Sequence, residues 1–542
     1  MGSDGTNRAI AIADYIIVGG GSAGCVLAAR LSENPQARVI LIEAGGRDRS
    51  PYIHLPVTYS KTTGRPQFTW GFMTAAQEHQ GGISTPFTQA RVLGGGSSIN
   101  AQVYMRGTPA DYNAWRDEFG CAGWGYDDIL PYFKKAEDNQ RLADDLHGMG
   151  GPLKVSDQAY THPLTYAWLR ACQQAGMPYN ADFNSGKPAG CGLYQVTNRA
   201  GRRSSTANCY LHPAEKRKNL TVITDAHVLR VVIENGRACG VELRKGNATR
   251  RVSALREIIL TCGAIGTPNL LLHSGIGDAE SVTAAGIELV AHNPEVGRNL
   301  QDHLDVFLIY QLTGPNSYDK FKKLHWQIWA GMQFALFRSG PITSNVVEGG
   351  AFWWVDRNED EPDVQFHFLA GASLEAGIAD VPGGNGCTLN AYLTRPRSRG
   401  TVSLLGTNPM QQPRIDPNFL SDPDDLIKTV ESVRLGRKIM AGSAIARYLK
   451  QEHFPGINVE SQSELEAFVR SRSRTGYHPV GTCRMGSDAG SVVDTQLRVR
   501  GVDGLRIADN SVMPKLVSAN TNATAIMIGE RAADFVRANE RA

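Results

Sequence analysis

The sequence has no apolar run approaching the roughly 20 residues that a membrane span requires, and its cysteines form no CxxC pair. The first absence argues against a transmembrane protein. The nine cysteines, at 25, 121, 172, 191, 209, 239, 262, 387 and 483, are scattered and odd in number, which argues against a disulfide framework or a structural zinc site and for a reducing, cytoplasmic setting. A large excess of either sign of charge is missing too. Lys and Arg number 56 against 53 Asp and Glu, with no basic stripe of the kind that tracks phosphates, so nucleic acid is not an expected partner. No internal repeat or low-complexity tract is present, and the start, MGSDGTNRAIAIADYIIVGGG, lacks the basic start and the long apolar run before its first glycines that a secretory signal would show. A chain of 542 residues exceeds one simple core, and two interleaved domains are expected.

What is present starts with DYIIV, GGGSAG, CVLAARLSEN and RVILIEAG, which reads as strand, glycine turn, helix and strand, one unit of a doubly wound α/β sheet. Gly19, Gly21 and Gly24 form GxGxxG between the strand and the helix. That context points to a dinucleotide: the glycines allow a tight turn, close backbone approach to a pyrophosphate and close helix–strand packing. Glu43, at the end of the second strand, is placed to accept from ribose hydroxyls. LTVITDAHVLRVVIENGRACGVEL (220–243) reads as paired strands around a turn at Glu234, Asn235 and Gly236, and REIILTCGAIGTPNLLLHSGIG (256–277) as strand, turn and helix. From about 311 to 475 longer loops and half-polar strands suggest an α+β insert on an antiparallel sheet. Expected domains are therefore 1–160, 204–310 and 476–542 for the cofactor, and 161–203 and 311–475 for the substrate. Within the insert, DKFKKLHWQIWAGMQFALF (319–337) mixes cations with aromatics at near-helical spacing, which leaves peripheral membrane contact open.

A second glycine cluster, ARVLGGGSSINAQVYMRG (90–107), offers backbone N–H groups to a flat ring and a phosphate. GLRIADNSVMP sets Asp509 after an apolar strand, where its carboxylate would meet ribityl hydroxyls. Together with GAIGTPNLLLHSGIG, YHPVGTCRMG and the later NTN, these blocks resemble the glucose-methanol-choline (GMC) family of flavin-dependent oxidoreductases along nearly the whole chain. Within that family the sequence is most similar to bacterial alcohol dehydrogenases of the alkanol, polyethylene glycol and choline type. The resemblance implies an FAD-binding doubly wound domain capped by an antiparallel-sheet domain. It carries cofactor contacts to Gly19, Gly21, Ser22, Ala23, Gly24, Glu43 and Ala44 in the first block and to Arg91, Val92, Gly95, Ser97, Asn100, Ala101 and Val103 in the second. Val228, Tyr477, Asp509 and Thr521 complete the set. Some members attach FAD through a histidine where this chain has Ile99, so FAD is expected to be non-covalent.

Oxidising an alcohol removes a hydride from carbon and a proton from oxygen, and imidazole, with an ordinary pKa of about 6.5, suits the proton. The resemblance places His478 and Asn520 at the flavin's reactive edge; the leading reading takes His478 as base and Asn520 as the amide that orients the oxygen, while other members carry histidine at the second position and the sequence does not settle which of the two is the base. His367, in DVQFHFLAG, is a candidate substrate contact on the same strand face as Gln365. The leading expectation is an FAD-dependent dehydrogenase of primary alcohols passing electrons to a quinone or other carrier. The alternatives are an oxidase that uses O₂, for which Gly476 would leave room near the flavin, a hydroxynitrile lyase, and a flavoprotein without catalysis.

Overall fold

The computed structural model describes residues 12–372, 381–382 and 384–541; the start of the chain, expected to carry no signal, lies outside the described residues, as do a few positions of the expected insert. Two seven-stranded sheets organise the chain. The first has five parallel strands, in the order Leu220–Ile223, Val39–Ile42, Ile12–Val18, Ala248–Leu260 and Leu505–Ile507. Residues 39–42 are all buried and residues 13–18 likewise, the continuous apolar reading of strands covered on both faces. Ala248–Leu260 is shared. Its first half pairs antiparallel with Arg237–Lys245, which in turn pairs with His227–Glu234, while Ile258, Ile259 and Leu260 pair with Leu505–Ile507. The hairpin turns at Asn235 and Gly236, both left-handed, as two-residue hairpins prefer.

The second sheet is antiparallel throughout, in the order Leu449–Phe454, Leu304–Leu312, Gly386–Leu393, Val364–Leu369, Val347–Trp353 and Gly190–Leu193. A boundary expected near residue 310 falls inside Leu304–Leu312, which belongs to this sheet; its nine residues are nearly all buried, and an unbroken apolar strand gives no hint of which sheet it joins. The helix Pro423–Met440 covers one face, burying Leu426, Val430, Val433 and Ile439. Each sheet has its own apolar core. At the lower end of Leu304–Leu312, Leu304 and Asp305 pair with Thr475 and Arg474 of a two-residue strand. That short pairing sets residues 302–303 beside residues 476–478.

Candidate active site

A cavity of about 630 Å³ runs between the sheets, from Glu43 and the first glycine turn at one end to His478, Asn520 and His367 at the other. Its volume lies within the usual range for cofactor sites. At the first end the strand Ile12–Val18 turns at Gly19, whose φ of +104° places a β-carbon within 2.5 Å of the Thr261 carbonyl oxygen. Only glycine fits there. The helix Ser22–Leu31 then starts against the cavity, presenting unpaired N–H groups and the positive end of its dipole. The Ser22 hydroxyl donates to Asn522 Oδ1 at 2.8 Å, which ties this helix start to that of Asn522–Arg541, a second N-terminus facing the cavity.

Most expected cofactor residues line this space: Gly19, Gly21, Ser22, Ala23, Glu43 and Ala44 from the first block, Arg91, Gly95, Asn100, Ala101 and Val103 from the second, and Val228, Tyr477, Asp509 and Thr521. Gly24, Val92 and Ser97 do not. Gly24 packs helix on strand, since a β-carbon there would lie 2.0 Å from the Gly19 carbonyl oxygen. Val92 is buried in a small cluster with Ile53, Phe68 and Ile99. Ser97 turns away to donate to the Gly94 carbonyl at 2.6 Å and lies 3.0 Å from the Thr206 hydroxyl. Two carboxylates also have structural partners. Glu43 accepts from the Gly20 and Gly45 N–H groups, each at 2.7 Å. Asp509 accepts from Gly263 N–H at 2.8 Å, Thr267 hydroxyl at 2.6 Å and Ser511 N–H at 2.8 Å, so it caps the helix Gly263–His273 as well as facing the cavity. Burial pushes both carboxyls upward.

At the other end four groups missed by sequence reasoning define the chemistry. Gly476 N–H donates to the His303 carbonyl at 2.7 Å, His478 N–H donates to Asp302 Oδ1 at 2.8 Å, and the Thr475 hydroxyl donates to the other Asp302 oxygen. Between them Tyr477 takes a left-handed φ of +67°, a strained conformation held by its surroundings. The His303 and His478 rings meet edge to face with their Nδ1 atoms 2.9 Å apart, and His303 Nε2 lies 3.1 Å from the Thr394 carbonyl. A carbonyl only accepts, so His303 carries its proton on Nε2 and its Nδ1 is a lone pair. His478 must then donate from Nδ1. Its Nε2 is left unprotonated, 3.1 Å from Asn520 Nδ2, which donates to it. No spacing rule connects residues 302–303, in the segment NLQDHLD, to residue 478.

Burial lowers the His478 pKa to about 3 and that of His367 to about 3, drives His303 well below its ordinary value, and raises Asp302 to about 7. The three imidazoles are neutral at physiological pH. His367 sits where the strand alternation predicted, beside Gln365, whose amide donates to His367 Nε2 at 3.1 Å, and it lines the cavity. Tyr392 completes this wall, stacked on His303 at 4.3 Å and donating to Gln365 Oε1 at 2.5 Å. Of the tryptophans at 70, 353 and 354, aromatic residues that suit a pocket wall, Trp70 faces the cavity under the Arg91 guanidinium. Trp353 and Trp354 instead pack with Arg357. Gly476 does not open space for oxygen: a β-carbon there would meet His303 Cβ at 3.0 Å and its carbonyl at 3.2 Å, so this glycine serves the close approach of His303.

With this geometry in view, comparison with known proteins is decisive. The GMC oxidoreductase N-terminal family model matches residues 13–305 and the C-terminal one residues 396–529. The chain belongs to the GMC oxidoreductase family. It is 43% identical over 530 residues to an alcohol dehydrogenase [acceptor] of Pseudomonas putida, covering 96% of this chain and 95% of that protein. It is 40% identical to an oxygen-dependent choline dehydrogenase of Rhizobium etli, covering 97% and 95%. Among solved structures, pyridoxine 4-oxidase from Mesorbium loti superposes with a TM-score of 0.88 at 32% identity, covering 98% of this chain and 99% of that one. A formate oxidase of Aspergillus oryzae gives a TM-score of 0.93 at 26% identity, with coverage of 98% and 99%.

As a GMC oxidoreductase this protein binds FAD, and the residues present fit it. Buried polar atoms without a protein partner gather around the cavity: Arg91 Nε, His227 Nδ1, Asn269 Oδ1, Asn390 Oδ1, Asn510 Oδ1 and Asn520 Oδ1. Such atoms are costly to bury unless a bound group pairs with them. Gly96 also lines the cavity, with no heavy atom within 4 Å of where its β-carbon would stand, and gives a flat ligand room against the backbone.

Proposed function

We propose that the protein oxidises a primary alcohol to an aldehyde, with His478 as the general base and Asn520 orienting the alcohol oxygen, and passes the electrons to a quinone or another carrier. The observation that carries this reading is the tautomer chain from the Thr394 carbonyl through His303 to His478, which leaves the His478 Nε2 lone pair beside Asn520 and facing the cavity. The two helix starts at Ser22 and Asn522, the glycine turn and the 91–103 block would hold FAD. When bound, FAD supplies the two-electron acceptor that takes the hydride of the carbinol carbon.

The residues do the rest. The alcohol hydroxyl donates to His478 Nε2 and its proton passes there as the C–H bond breaks. The imidazolium that forms keeps its Nδ1–H bond to His303, and Asn520 is freed to donate to the oxygen as it gains negative character. His367 bounds the same space and is proposed as a substrate contact. Val347 and Leu369 give the lining an apolar share, which suits the carbon side of a neutral alcohol. Dioxygen is the alternative acceptor, favoured by the similarity to solved oxidases. The cofactor domain is proposed to comprise 1–160, 204–303 and 476–542, the limit expected at 310 moving to the start of Leu304–Leu312, with the remainder shaping the substrate side, and the setting to be cytoplasmic. Dye-coupled turnover against oxygen uptake tests the acceptor: dye reduction that outruns peroxide release supports a dehydrogenase, and matched rates support an oxidase.

A further inference from the structure

The helix Leu324–Phe337 is out of keeping with the rest of the molecule. Its fourteen residues include no Asp, Glu, Lys or Arg, yet only Ala330 is buried. Six of the eighteen large apolar side chains that stand exposed among the described residues belong to it: Leu324, Ile328, Trp329, Met332, Leu336 and Phe337. Leu336 and Phe337 are 73% and 72% exposed. A soluble monomer rarely leaves so contiguous an apolar surface to water. The helix packs chiefly against the short turns at its two ends, Tyr318–Lys322 and Pro341–Thr343. It is not an ordinary surface helix, for its apolar residues run all round it rather than along one stripe.

Both ends carry cations. Lys320, Lys322 and Lys323 precede the helix and Arg338 follows it; Lys322, Lys323 and Arg338 are exposed. Lys320 lies over the Phe321 and Trp326 rings at 5.2 Å and 5.1 Å, and Arg338 over Phe334 at 4.9 Å. The one acid in the segment, Asp319, is buried, accepting from Ala372 and Gly386 N–H groups at 3.0 Å and 3.1 Å as well as pairing with Lys322. An apolar cylinder with cations at its ends matches an anionic bilayer surface, where acyl chains take the apolar side chains and phosphates take the cations. Its length, about 21 Å at 1.5 Å per residue, is too short to cross roughly 30 Å of hydrocarbon, and no helix among the described residues is long and apolar enough to do so. A second copy of the chain fits less well. With cations at both ends, the helix would set like charges together whether it met its twin parallel or antiparallel.

We infer that Leu324–Phe337 is a membrane-docking helix that lies in the interface of an anionic phospholipid leaflet. Docking brings lipid to the wall of the active-site cavity. The turn Pro341–Thr343 packs on Pro56–Thr58, next to the lining Tyr59, and the chain continues to Val347, also lining. Asn345, on the way, donates to the Ala101 carbonyl at 2.6 Å. A quinone or a water-insoluble alcohol held in the bilayer would then enter from the membrane side. That consequence rests on the alcohol-oxidation reading; the docking does not.

The test is sedimentation of the purified holoenzyme with phosphatidylcholine vesicles, with and without phosphatidylglycerol. Binding is expected with the anionic vesicles and should weaken as salt is raised. Leu336→Glu combined with Phe337→Glu should lower partitioning at least about tenfold. Turnover with a soluble alcohol and a soluble dye should be unchanged, which reports an intact fold and separates failure of docking from failure of the catalytic reading. In the wild type, brominated acyl chains should quench Trp326 and Trp329. The inference is overturned by absence of vesicle binding, by equal binding of the double variant, or by a dimer that the double variant turns into monomers without any vesicle association.

Discussion

An imidazole whose pKa burial has lowered to about 3 stays unprotonated across the whole neutral range, so His478 is ready to accept a proton but gains nothing from its ordinary titration near 6.5. The group that titrates near neutrality is Asp302, raised to about 7 by burial. Below that pH it is neutral; above it, a carboxylate bonded to the main-chain N–H of His478 places negative charge near the ring and favours the imidazolium that forms on proton transfer. The rate of flavin reduction by alcohol should therefore rise as pH passes through about 7, and Asp302→Asn should remove the rise. A profile unchanged by that substitution, or one with its midpoint at 6.5 in both proteins, refutes the assignment. His303 acts through His478. His303→Gln, which can preserve donor and acceptor, should keep more activity than His303→Phe, and the difference should appear in kcat rather than in KM. The sequence named His478 and Asn520 but not the Asp302 and His303 that support His478. Asp302 and His303 lie about 175 positions before His478, and what joins them is two residues of strand pairing, too short to leave a pattern of alternation.

At the scale of elements, the first glycine turn, the helix Ser22–Leu31 and the hairpin at Asn235 and Gly236 were readable because each depends on local chemistry: left-handed backbone, helix start and apolar alternation. The limit shows in the assignment of contacts. Gly24, Val92 and Ser97 belong to the right motifs but face protein, because a motif records what packs the loop as well as what touches the ligand. Gly24→Ala should thus destabilise by about 1–3 kcal/mol through overpacking against the Gly19 carbonyl. Purified protein should show a lower melting temperature and less flavin per chain. A variant with normal flavin content and normal melting would contradict that close packing. The strand Leu304–Leu312 is the other lesson. Its apolar run was visible, but its sheet was not, since burial on both faces looks the same in either sheet.

For the whole molecule, two sheets with separate cores flank a cavity lined by the proposed cofactor groups and by the imidazoles of His367 and His478. Such a division would let the parallel sheet hold the dinucleotide while the antiparallel sheet sets His367 and Tyr392 on the cavity wall, with His303 behind His478. Ile99, buried in a small apolar cluster, offers no nucleophile for a covalent bond to flavin. Acid precipitation should accordingly release all the yellow cofactor to the supernatant; flavin retained in the pellet would show a covalent link. The measurement that bears most directly on the central claim is anaerobic rapid mixing of the flavin-loaded enzyme with primary alcohols, followed by flavin absorbance, in wild type and His478→Ala. The account predicts bleaching in the wild type and a loss of about 10²–10⁴ in its rate in the variant; absence of bleaching with every alcohol, or equal rates in the two proteins, would contradict it.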